Sequence, residues 1–391
     1  MSNQNKTSQF MVTTIIFFAI FFIIYFLFLR KDEETFFTPD DYDVVFINDG
    51  TIYFSDFKGE FTEKAAKGVF VAWDTVGEGV YFIDNYAKLR YYDIDEGKPR
   101  DVTTNITDFE ISPTGDAIAV VQTLDEDRVL VIDPEGTVIA DLGPGTAPRW
   151  SGDGTILAYL TGGGVTIAAR PSDDPAGFRV RFSQKGSVSD MDISPDGKTI
   201  LMVETVEMES SLSKIELTGS GFGEKTVIKT GTLDEVPPAG APVGFSEPRF
   251  FSGENTALFI YNDASGGRVF KIDIDDDEVK GLTQEPGPIF RLSIAPDDET
   301  VAYFLINTAA QPSFTHITDE GDVPMILGPD TINEAFVEKI YRMNDEEEIG
   351  GDEVNKYNLD QFLESDVIRV IDLKRDVYWV LGSGQNPSLR K

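Results

Sequence analysis

The sequence contains no cysteine and a single histidine, His316, in 391 residues. A chain without cysteine has no thiolate nucleophile, and with one histidine it cannot build the cysteine or multi-histidine sites that hold zinc. A Ser-His-Asp triad could use only His316, which lies in a predicted outer strand, and no serine sits in a Gly-x-Ser-x-Gly nucleophile motif. We therefore interpret His316 as a surface strand residue and predict no catalytic residue and no enzymatic activity. The lack of thiols also fits an exported protein.

Basic residues are scarce. The chain has 33 lysines and arginines against 68 aspartates and glutamates, which gives a formal net charge of −35. Nucleic-acid binding requires basic patches, so this balance excludes nucleic acid as a partner. It also argues against the soluble part lying flat on anionic lipid. The simplest interpretation of the excess charge is solubility through surface carboxylates.

Long hydrophobic runs are absent except for one near the amino terminus. Residues 10–29 are rich in Phe, Ile and Leu and carry no charge, and Arg30 and Lys31 follow at once. At 1.5 Å rise per residue this run spans roughly 30 Å, the thickness of a hydrocarbon core. The alternative, a cleaved signal peptide, has a shorter apolar region and a small-x-small cleavage site, which this segment lacks. The run predicts a single transmembrane helix that contacts membrane lipid, in the cell (cytoplasmic) membrane, with the propeller outside the cytoplasm.

A short turn motif organises the remainder of the chain. In residues 193–203 one strand ends, a Ser-Pro-Asp-Gly turn follows, and an apolar strand begins. The Ser and Asp side chains can bond nearby backbone amides, Pro presets φ, and Gly supplies the positive φ that closes the turn. The motif is repeated along the chain, and two of its weaker copies have Asn or Asp in place of Gly. These are the residues that best tolerate a left-handed conformation. This substitution pattern indicates a structural turn.

The motif recurs roughly every 43 residues, a period that is typical of β-propellers in which each four-stranded blade is one repeat. The predicted turn residues are Ser112, Pro113 and Gly115; Ser151, Asp153 and Gly154; Ser194, Pro195, Asp196 and Gly197; Asn255; and Pro296, Asp297 and Asp298.

The Ser-Pro-Asp-Gly-Lys-x-Ile element at residues 194–200 resembles the TolB-type propeller repeat, which also occurs in the propellers of prolyl oligopeptidase-like enzymes. The resemblance covers most of residues 42–385. It implies a propeller fold and protein–protein contacts in an envelope complex. The α/β domain that usually precedes the TolB propeller is missing, and the predicted membrane helix stands in its place.

The predicted fold is all-β, a single β-propeller preceded by one N-terminal transmembrane α-helix. Eight outer-strand hairpins favour eight blades. Seven is the alternative, because the first unit is short and could share a blade with the C-terminal unit. The predicted segments are a polar tail (1–9), the transmembrane helix (10–29), an acidic tether (30–41), the propeller (42–385, with insertions at 218–248 and 333–365) and a C-terminal tail (386–391).

One acidic run could offer oxygen ligands to calcium. Asp273, Asp275 and Asp277 lie close together, but the run lacks the glycine and terminal glutamate of an EF-hand loop. It also falls at a predicted hairpin tip, where Asp is favoured for turn formation alone. We predict no cofactor, and keep calcium at these residues as the alternative.

The predicted function is a non-catalytic protein–protein interaction platform in the cell envelope, with one or more envelope proteins as partners. Long decorations on a regular scaffold are where specificity tends to lie, so the two insertions are the candidate recognition surfaces. One alternative is a propeller that binds or hydrolyses glycans or small molecules with carboxylates or calcium. Another is a structural subunit of a membrane homo-oligomer or filament.

Overall fold

Short antiparallel strands make up the regular structure of the chain. The computed structural model describes residues 42–56, 62–171, 177–207, 209–219, 221–232, 244–253, 255–263, 266–285, 287–306, 313–318, 321–326, 366–374, 377–383 and 385–390. These residues contain thirty strands and no helix. None of them therefore lies in a helix with the length and hydropathy needed to span a membrane. The predicted span 10–29, the tether 30–41 and the acidic insertion 333–365 lie outside the described residues.

The strands form seven four-stranded antiparallel sheets, which are the blades of a β-propeller. The first three strands of the chain are β1 (Val44–Asn48), β2 (Thr51–Ser55) and β3 (Thr62–Lys67). Blade 1 is β4 (Phe70–Trp73), β5 (Gly79–Ile83), β6 (Lys88–Asp93) and β7 (Lys98–Thr104). Blade 2 is β8 (Ile106–Ile111), β9 (Ile118–Thr123), β10 (Asp127–Ile132) and β11 (Val138–Pro144). Blade 3 is β12 (Thr146–Trp150), β13 (Ile156–Thr161), β14 (Gly164–Ala169) and β15 (Arg179–Gln184).

The second half of the ring follows the same order from the channel outward. Blade 4 is β16 (Val188–Ile193), β17 (Thr199–Val206), β18 (Glu209–Thr218) and β19 (Gly221–Thr232). Blade 5 is β20 (Gly244–Phe250), β21 (Thr256–Asp263), β22 (Gly266–Asp273) and β23 (Glu278–Gly281). The remaining strands are β24 (Ile289–Ile294), β25 (Thr300–Ile306), β26 (Ser313–Thr318), β27 (Gly321–Ile326), β28 (Asp366–Asp372), β29 (Val377–Ser383) and β30 (Gln385–Leu389). Blade 6 contains β24, β25, β28 and β29, and blade 7 contains β30, β1, β2 and β3.

Each blade has two ends that differ in their connections. We call the turn between the innermost and second strands the first turn, and the turn between the second and third strands the second turn. Because neighbouring strands are antiparallel, all first turns lie at one end of the channel. All second turns, and the connections between blades, lie at the other end. The repeated Ser-Pro-Asp-Gly motif forms first turns.

The favoured count of eight blades was wrong, and the seven-blade alternative agrees with the described sheets. The hairpin counted as an eighth outer pair is β26–β27, which is inserted in the second turn of blade 6. Strand β25 pairs directly with β28, from Thr300↔Asp372 to Ile306↔Asp366, and so bypasses this hairpin. The reason lies in burial: Ile368, Val370 and Ile371 of β28 are fully buried beside β25.

The C-terminal strand closes the ring. Strand β30 pairs with β1 through Val44↔Leu389, Val45↔Ser388 and Ile47↔Gln385, so the ends of the chain share blade 7. The predicted C-terminal tail 386–391 therefore belongs largely to the innermost strand of a blade. This pairing covers the backbone edges that an open ring would expose.

The predicted insertion 218–248 is also smaller than expected. Residues 221–232 form β19, the fourth strand of blade 4, and β20 begins at Gly244. Residues 233–243 between them lie outside the described chain. The extra length arises because β18 and β19 are the longest outer hairpin, with 10 and 12 residues.

The hydrophobic core lies between neighbouring blades. Separate clusters of buried aliphatic and aromatic side chains join blades 1 and 2, blades 2 to 4, blades 4 and 5, blades 5 and 6, and blades 6 and 7. Each second strand is a short apolar run that is buried on both faces, such as Val80–Ile83 in β5 and Ile118–Val121 in β9. Burial on both faces explains why these strands lack polar alternation.

The first turns are held by side-chain hydrogen bonds. In blade 4 the Ser194 hydroxyl donates to Asp196 Oδ1 at 2.7 Å and accepts from the Thr199 amide at 2.9 Å. Gly197 has φ of +68° and donates its amide to the Ser194 carbonyl at 2.8 Å. A Cβ atom at Gly197 would lie 2.8 Å from Ile156 Cδ1 of blade 3, so this glycine also permits the close approach of two blades.

Replacing Gly197 by alanine tests this double role. Gly197→Ala should lower the free energy of unfolding by about 1–3 kcal/mol, because it adds both left-handed strain and a contact with Ile156. Gly50→Ala is the matched control, since Gly50 has φ of +62° and open space around it. The control should lose only about 1 kcal/mol from backbone strain. Chemical denaturation measures both values, and equal losses would contradict the role assigned to the contact.

Ring closure gives a second prediction. Arg390 follows β30, donates to the carbonyls of Tyr42 and Gly77 at 3.3 and 2.5 Å, and lies 5.2 Å from the ring centroid of Trp73. Arg390→Ala should therefore cost about 1–3 kcal/mol of unfolding free energy.

The control for this variant is Arg128→Ala, which removes exposed ion pairs with Asp141 and Glu126 and should cost much less than Arg390→Ala. Denaturation midpoints of the two variants give the comparison. If Arg390→Ala is no less stable than the control, the arginine does not help to close the ring.

Candidate functional site

The innermost strands carry β-bulges where they line the channel. Register shifts occur in β8, β12, β16, β20 and β24 near the start of each strand. Ala147, Glu247 and Arg291 at these bulges have positive φ values of 48°, 50° and 55°. A bulge leaves backbone groups outside the ladder and redirects side chains. Pro148 and Pro248, which have no amide to offer, occupy two of these bulges.

The same backbone hydrogen bond recurs in the blades and identifies equivalent positions in them. At each first turn in blades 1 to 6, one residue donates its amide to the carbonyl five residues further on, as Ser112 does to Ala117. The position two residues before that donor forms one layer around the channel, which we call the central layer. Arg390 donates to Asp43 in the same way and completes the ring. In blade order, the central layer contains Ala72, Glu110, Arg149, Asp192, Arg249, Ser293 and Ser388.

The central layer divides into a charged half and a small half. In blades 2 to 5 the charges alternate: Glu110, Arg149, Asp192, Arg249. In blades 6, 7 and 1 the equivalent residues are two serines and an alanine. A cavity of about 660 Å³ occupies the channel at this level and extends to the first turns.

Carboxylates beside the cavity accept hydrogen bonds from the bulged backbone of the next blade. Asp190 Oδ2 accepts from the Glu247 amide at 2.8 Å, and Asp192 Oδ2 accepts from the Phe250 amide at 2.7 Å. Glu247 in turn accepts from the amides of Arg291 and Leu292 at 2.7 and 2.9 Å. The bulges free these amides, and the carboxylates satisfy them, so the acidic residues join one blade to the next.

Arg149 is the most enclosed cation of the channel. Its side chain is 12% exposed, and its Nη1 atom lies 2.9 Å from Glu110 Oε2. Burial by itself lowers the pKa of the Arg149 guanidinium, but Glu110, Asp190, Asp108 and Asp192 together raise this pKa above its ordinary value. The Nε atom of Arg149 is buried without a hydrogen-bond partner. The residue is thus firmly charged and retains an unused donor.

Asp192 is the buried acid of the layer. Burial raises the pKa of Asp192 to about 6, although Arg249 opposes the shift; Glu110 raises this pKa and Arg149 lowers it. A carboxyl group with a raised pKa favours its neutral form in the folded state. Asp192 therefore titrates near the physiological range inside the channel.

Arg249 and Arg291 keep much of their hydrogen-bonding capacity. Arg249 Nη1 donates to the Pro248 carbonyl at 2.7 Å, whereas its Nη2 lies 3.9 Å from Glu247 Oε2. The Arg291 guanidinium lies 5.5 Å from the ring centroid of Phe70, which belongs to a blade two positions further round the ring. Within the described residues, no carboxylate forms an ion pair with the Arg291 side chain.

The predicted turn residues surround one end of this cavity. Gly115 and Gly154 have φ of +73° and +66°, and Asp298 adopts the left-handed conformation at +59°. The Ser151 hydroxyl donates to Asp153 Oδ1 at 2.7 Å, and the Ser112 hydroxyl lies 2.7 Å from that of Thr114, which stands where the other turns have Asp.

Neighbouring first turns also contact each other. The Gly152 amide donates to the Pro195 carbonyl at 2.9 Å. Asp298 accepts from the amides of Ser252 and Gly253 at 2.7 and 2.9 Å. In the same turn Asp297 accepts from the Glu299 amide at 2.9 Å, and Pro296 accepts from the Ser252 hydroxyl at 3.1 Å. Pro113, Pro195 and Pro296 line the cavity, and the motif serves as a structural turn at its mouth.

The three calcium candidates are not brought together. Asp273 accepts from the amides of Asp275 and Asp276, Asp275 from the Asn255 side chain at 2.7 Å, and Asp277 from Lys214 Nζ at 2.6 Å. In the described part of the chain, no three His, Cys, Asp or Glu side chains lie where they could hold a metal ion. His316 lies on β26.

The central layer itself was missed at the level of sequence. A signal was present: Glu110, Arg149 and Asp192 each stand two residues before the serine of the turn motif, separated from it by one apolar residue. Aligning the copies at that serine places the three charges at one position of the repeat. Their alternating signs follow from the alignment alone.

Comparisons with known proteins concern the fold. The chain matches no protein-family model and no curated protein. Among solved structures it is similar to the Kuenenia stuttgartiensis hydrazine synthase, with 15% identity, 63% of this chain and 75% of that chain covered, and a TM-score of 0.46. It is also similar to TolB from Acinetobacter baumannii, with 17% identity over 63% of this chain and a TM-score of 0.43. A third is the tricorn protease, with 14% identity over 73% of this chain and a TM-score of 0.46.

The chain spans 64% of that TolB and 32% of the tricorn protease. The neighbours differ widely in what their names describe, and at these levels of identity they assign no activity, ligand or partner to this chain.

The raised pKa of Asp192 predicts a measurable pH dependence of stability. The ordinary pKa is 3.8, so its stabilising contribution is fully present below about pH 4 and is lost as the pH rises through about 6. The loss amounts to at most about 3 kcal/mol. Asp192→Asn keeps an oxygen that can accept from Phe250 and removes the titration.

Unfolding free energies of the wild type and Asp192→Asn, measured from pH 4 to pH 7, test this prediction. Relative to the wild type, the variant should become more stable as the pH rises across that interval. The exposed Asp95→Asn serves as the control. Parallel profiles for the wild type and Asp192→Asn would contradict a titrating Asp192.

Proposed function

We propose that the protein is a non-catalytic platform for protein–protein interaction, held at the cell membrane by the predicted span 10–29. The observation that carries the proposal is the composition of the second-turn end of the propeller. An inserted hairpin and several exposed apolar side chains lie at this end.

The hairpin β26–β27 is an addition to the fold. Its two strands pair with each other from Ser313↔Ile326 to Thr318↔Gly321, and in the described chain neither strand pairs with a blade. Blade 6 is complete without the hairpin. Segments that a scaffold does not need for its own stability are the usual carriers of recognition.

Large apolar side chains are exposed around the same end. Tyr86, Leu124 and Val206, in the second turns of blades 1, 2 and 4, are 84%, 64% and 57% exposed. Val69, in the connection that enters blade 1, is 50% exposed. Apolar surface gathered at one place on a soluble protein marks a site of interaction, and turns are otherwise polar. Apolar residues on four loops of one end support contact with a partner protein at that end.

The proposed location of the protein rests on its sequence. The apolar run 10–29 supports a single-pass protein of the cytoplasmic membrane, with the propeller outside the cytoplasm. The resemblance of the turn motif to TolB-type repeats supports an envelope protein as the partner. The absence of thiols is in keeping with export.

The alternatives are less well supported. A hydrolytic or calcium-dependent propeller would need free carboxylates in the channel, and Asp190, Asp192 and Glu247 accept backbone hydrogen bonds instead. A structural subunit of a membrane oligomer would be recognised by the native mass of the intact protein in detergent.

Crosslinking in native membranes tests the platform. The variant Tyr86→Ser/Leu124→Ser should lose at least about tenfold of the crosslinked partner, since apolar contacts at an interface centre dominate its stability. Deletion of residues 333–365 should weaken the same crosslinks.

The matched control is Val138→Ser/Val180→Ser, which removes apolar side chains that are 56% and 47% exposed on the outer strands β11 and β15. This control should retain the partner. Equal recovery with both double variants, or no specific protein with the wild type, would contradict the proposed surface.

A further inference from the structure

The geometry points to a second site, within the channel, that binds a small organic carboxylate with an apolar body through Arg149, Arg249 and Arg291. This site goes beyond the platform function and lies among the innermost strands, away from the second-turn loops. Four features carry the inference: a surplus of donors, the commitment of the acidic residues, the shape of the central layer and the charge of the whole chain.

Hydrogen-bond donors are in surplus along the cavity. Each of the three arginines lines the cavity, and each offers five N–H groups in a planar fork. Arg149 has a buried Nε without a partner, and the Nη2 of Arg249 lies 3.9 Å from Glu247, beyond hydrogen-bond distance. Arg291 makes only its ring contact with Phe70 among the described residues. The buried Nε of Arg149 without an acceptor is destabilising, and an oxyanion would satisfy it. The donors of Arg249, which is partly exposed, and of Arg291, which is exposed, are open to the same ligand.

The acidic residues of the channel are less available to a ligand. Asp190 uses both oxygens, one for the Met191 amide and one for the Glu247 amide. Both oxygens of Glu247 accept backbone amides of blade 6, at 2.7 and 2.9 Å. Glu110 accepts from Arg149 at 2.9 Å. Asp190 and Glu247 are thus committed to the wall of the channel, whereas the guanidinium groups keep unused donors that face the cavity.

The small half of the central layer leaves room for a ligand. Ser293 and Ser388 already accept backbone amides of Leu389 and Trp73, and Ala72 offers only a methyl group. The cavity of about 660 Å³ lies within the range of sites that enclose small molecules. Phe70 and Phe250 supply apolar wall beside the arginines. A ligand with an apolar body would lie against these walls in the small half of the central layer. Its anionic head would bind the arginines of the charged half.

The net charge of the chain limits the charge of the ligand. With a formal charge of −35, the protein repels anions, and the repulsion grows with each charge the ligand carries. A carboxylate carries one charge and matches the guanidinium fork in two parallel hydrogen bonds. A phosphate carries more charge and would be repelled more strongly. A singly charged carboxylate is therefore the oxyanion that this channel favours.

The test is calorimetric titration of the full-length protein in detergent with benzoate and 3-phenylpropionate. Benzamide and 3-phenylpropanamide are the neutral matches, and inorganic phosphate is the second anion. We expect at least one carboxylate to bind, at least about tenfold more tightly than its amide and than phosphate. Arg249→Gln and Arg291→Gln should each weaken that binding by about tenfold or more, and Arg128→Gln, on the outer surface of blade 2, should leave it unchanged.

Circular dichroism and unfolding midpoints establish that the variants are folded. If Arg249→Gln unfolds, Arg291→Gln carries the test, because it loses only a contact with one ring. No binding of either carboxylate below about 10 mM, equal binding of the amides, or wild-type affinity in Arg291→Gln would overturn the site. Because these readouts need no partner protein, they are independent of the crosslinking result.

Discussion

At the junctions of blade 4 with blade 5 and of blade 5 with blade 6, the ring is fixed by carboxylates that reach from one blade to the backbone of the next. The bulges of the innermost strands leave amides outside the β-ladder, and Asp190, Asp192 and Glu247 accept hydrogen bonds from these amides. Each such bond fixes the distance between two neighbouring blades beside the channel. Strand pairing cannot do this, because the blades are separate sheets. The apolar clusters between blades supply most of the stabilisation, but they are not directional. The polar bonds determine the register in which the blades meet.

The arginines of the channel follow from this arrangement. Carboxylates gathered around a narrow space are costly to bury: burial raises the pKa of Asp192, and the charge of Glu110 adds to the shift. Arg149 and Arg249 stand between and beside the acids, so the charges of the central layer alternate and largely cancel. In a chain with twice as many acidic as basic residues, three arginines converge on one cavity. The surplus of donors there is a consequence of using the acids to join the blades.

Local features of the fold could be predicted, and non-local pairings could not. The Ser-Pro-Asp-Gly turn is encoded within a few residues, so its hydrogen bonds and positive φ values follow from the sequence. The number of blades depends on whether β25 pairs with β26 or with β28, which are far apart in the chain. The sequences of the hairpins β26–β27 and β28–β29 both alternate between apolar and polar residues well enough to form part of a blade. Only the burial of Ile368, Val370 and Ile371 decides between them. The site required one further step, the alignment of charges two residues before each turn.

The position of the closing strand has a consequence for biosynthesis. Strand β30 is the innermost strand of blade 7, yet it leaves the ribosome long after β1, β2 and β3, the other strands of that blade. Until then β1 presents an unpaired edge, and the first and sixth blades have no common neighbour. The ring therefore closes only after β30 has been made, and a chain without residues 385–391 would carry an open seam available to other strands.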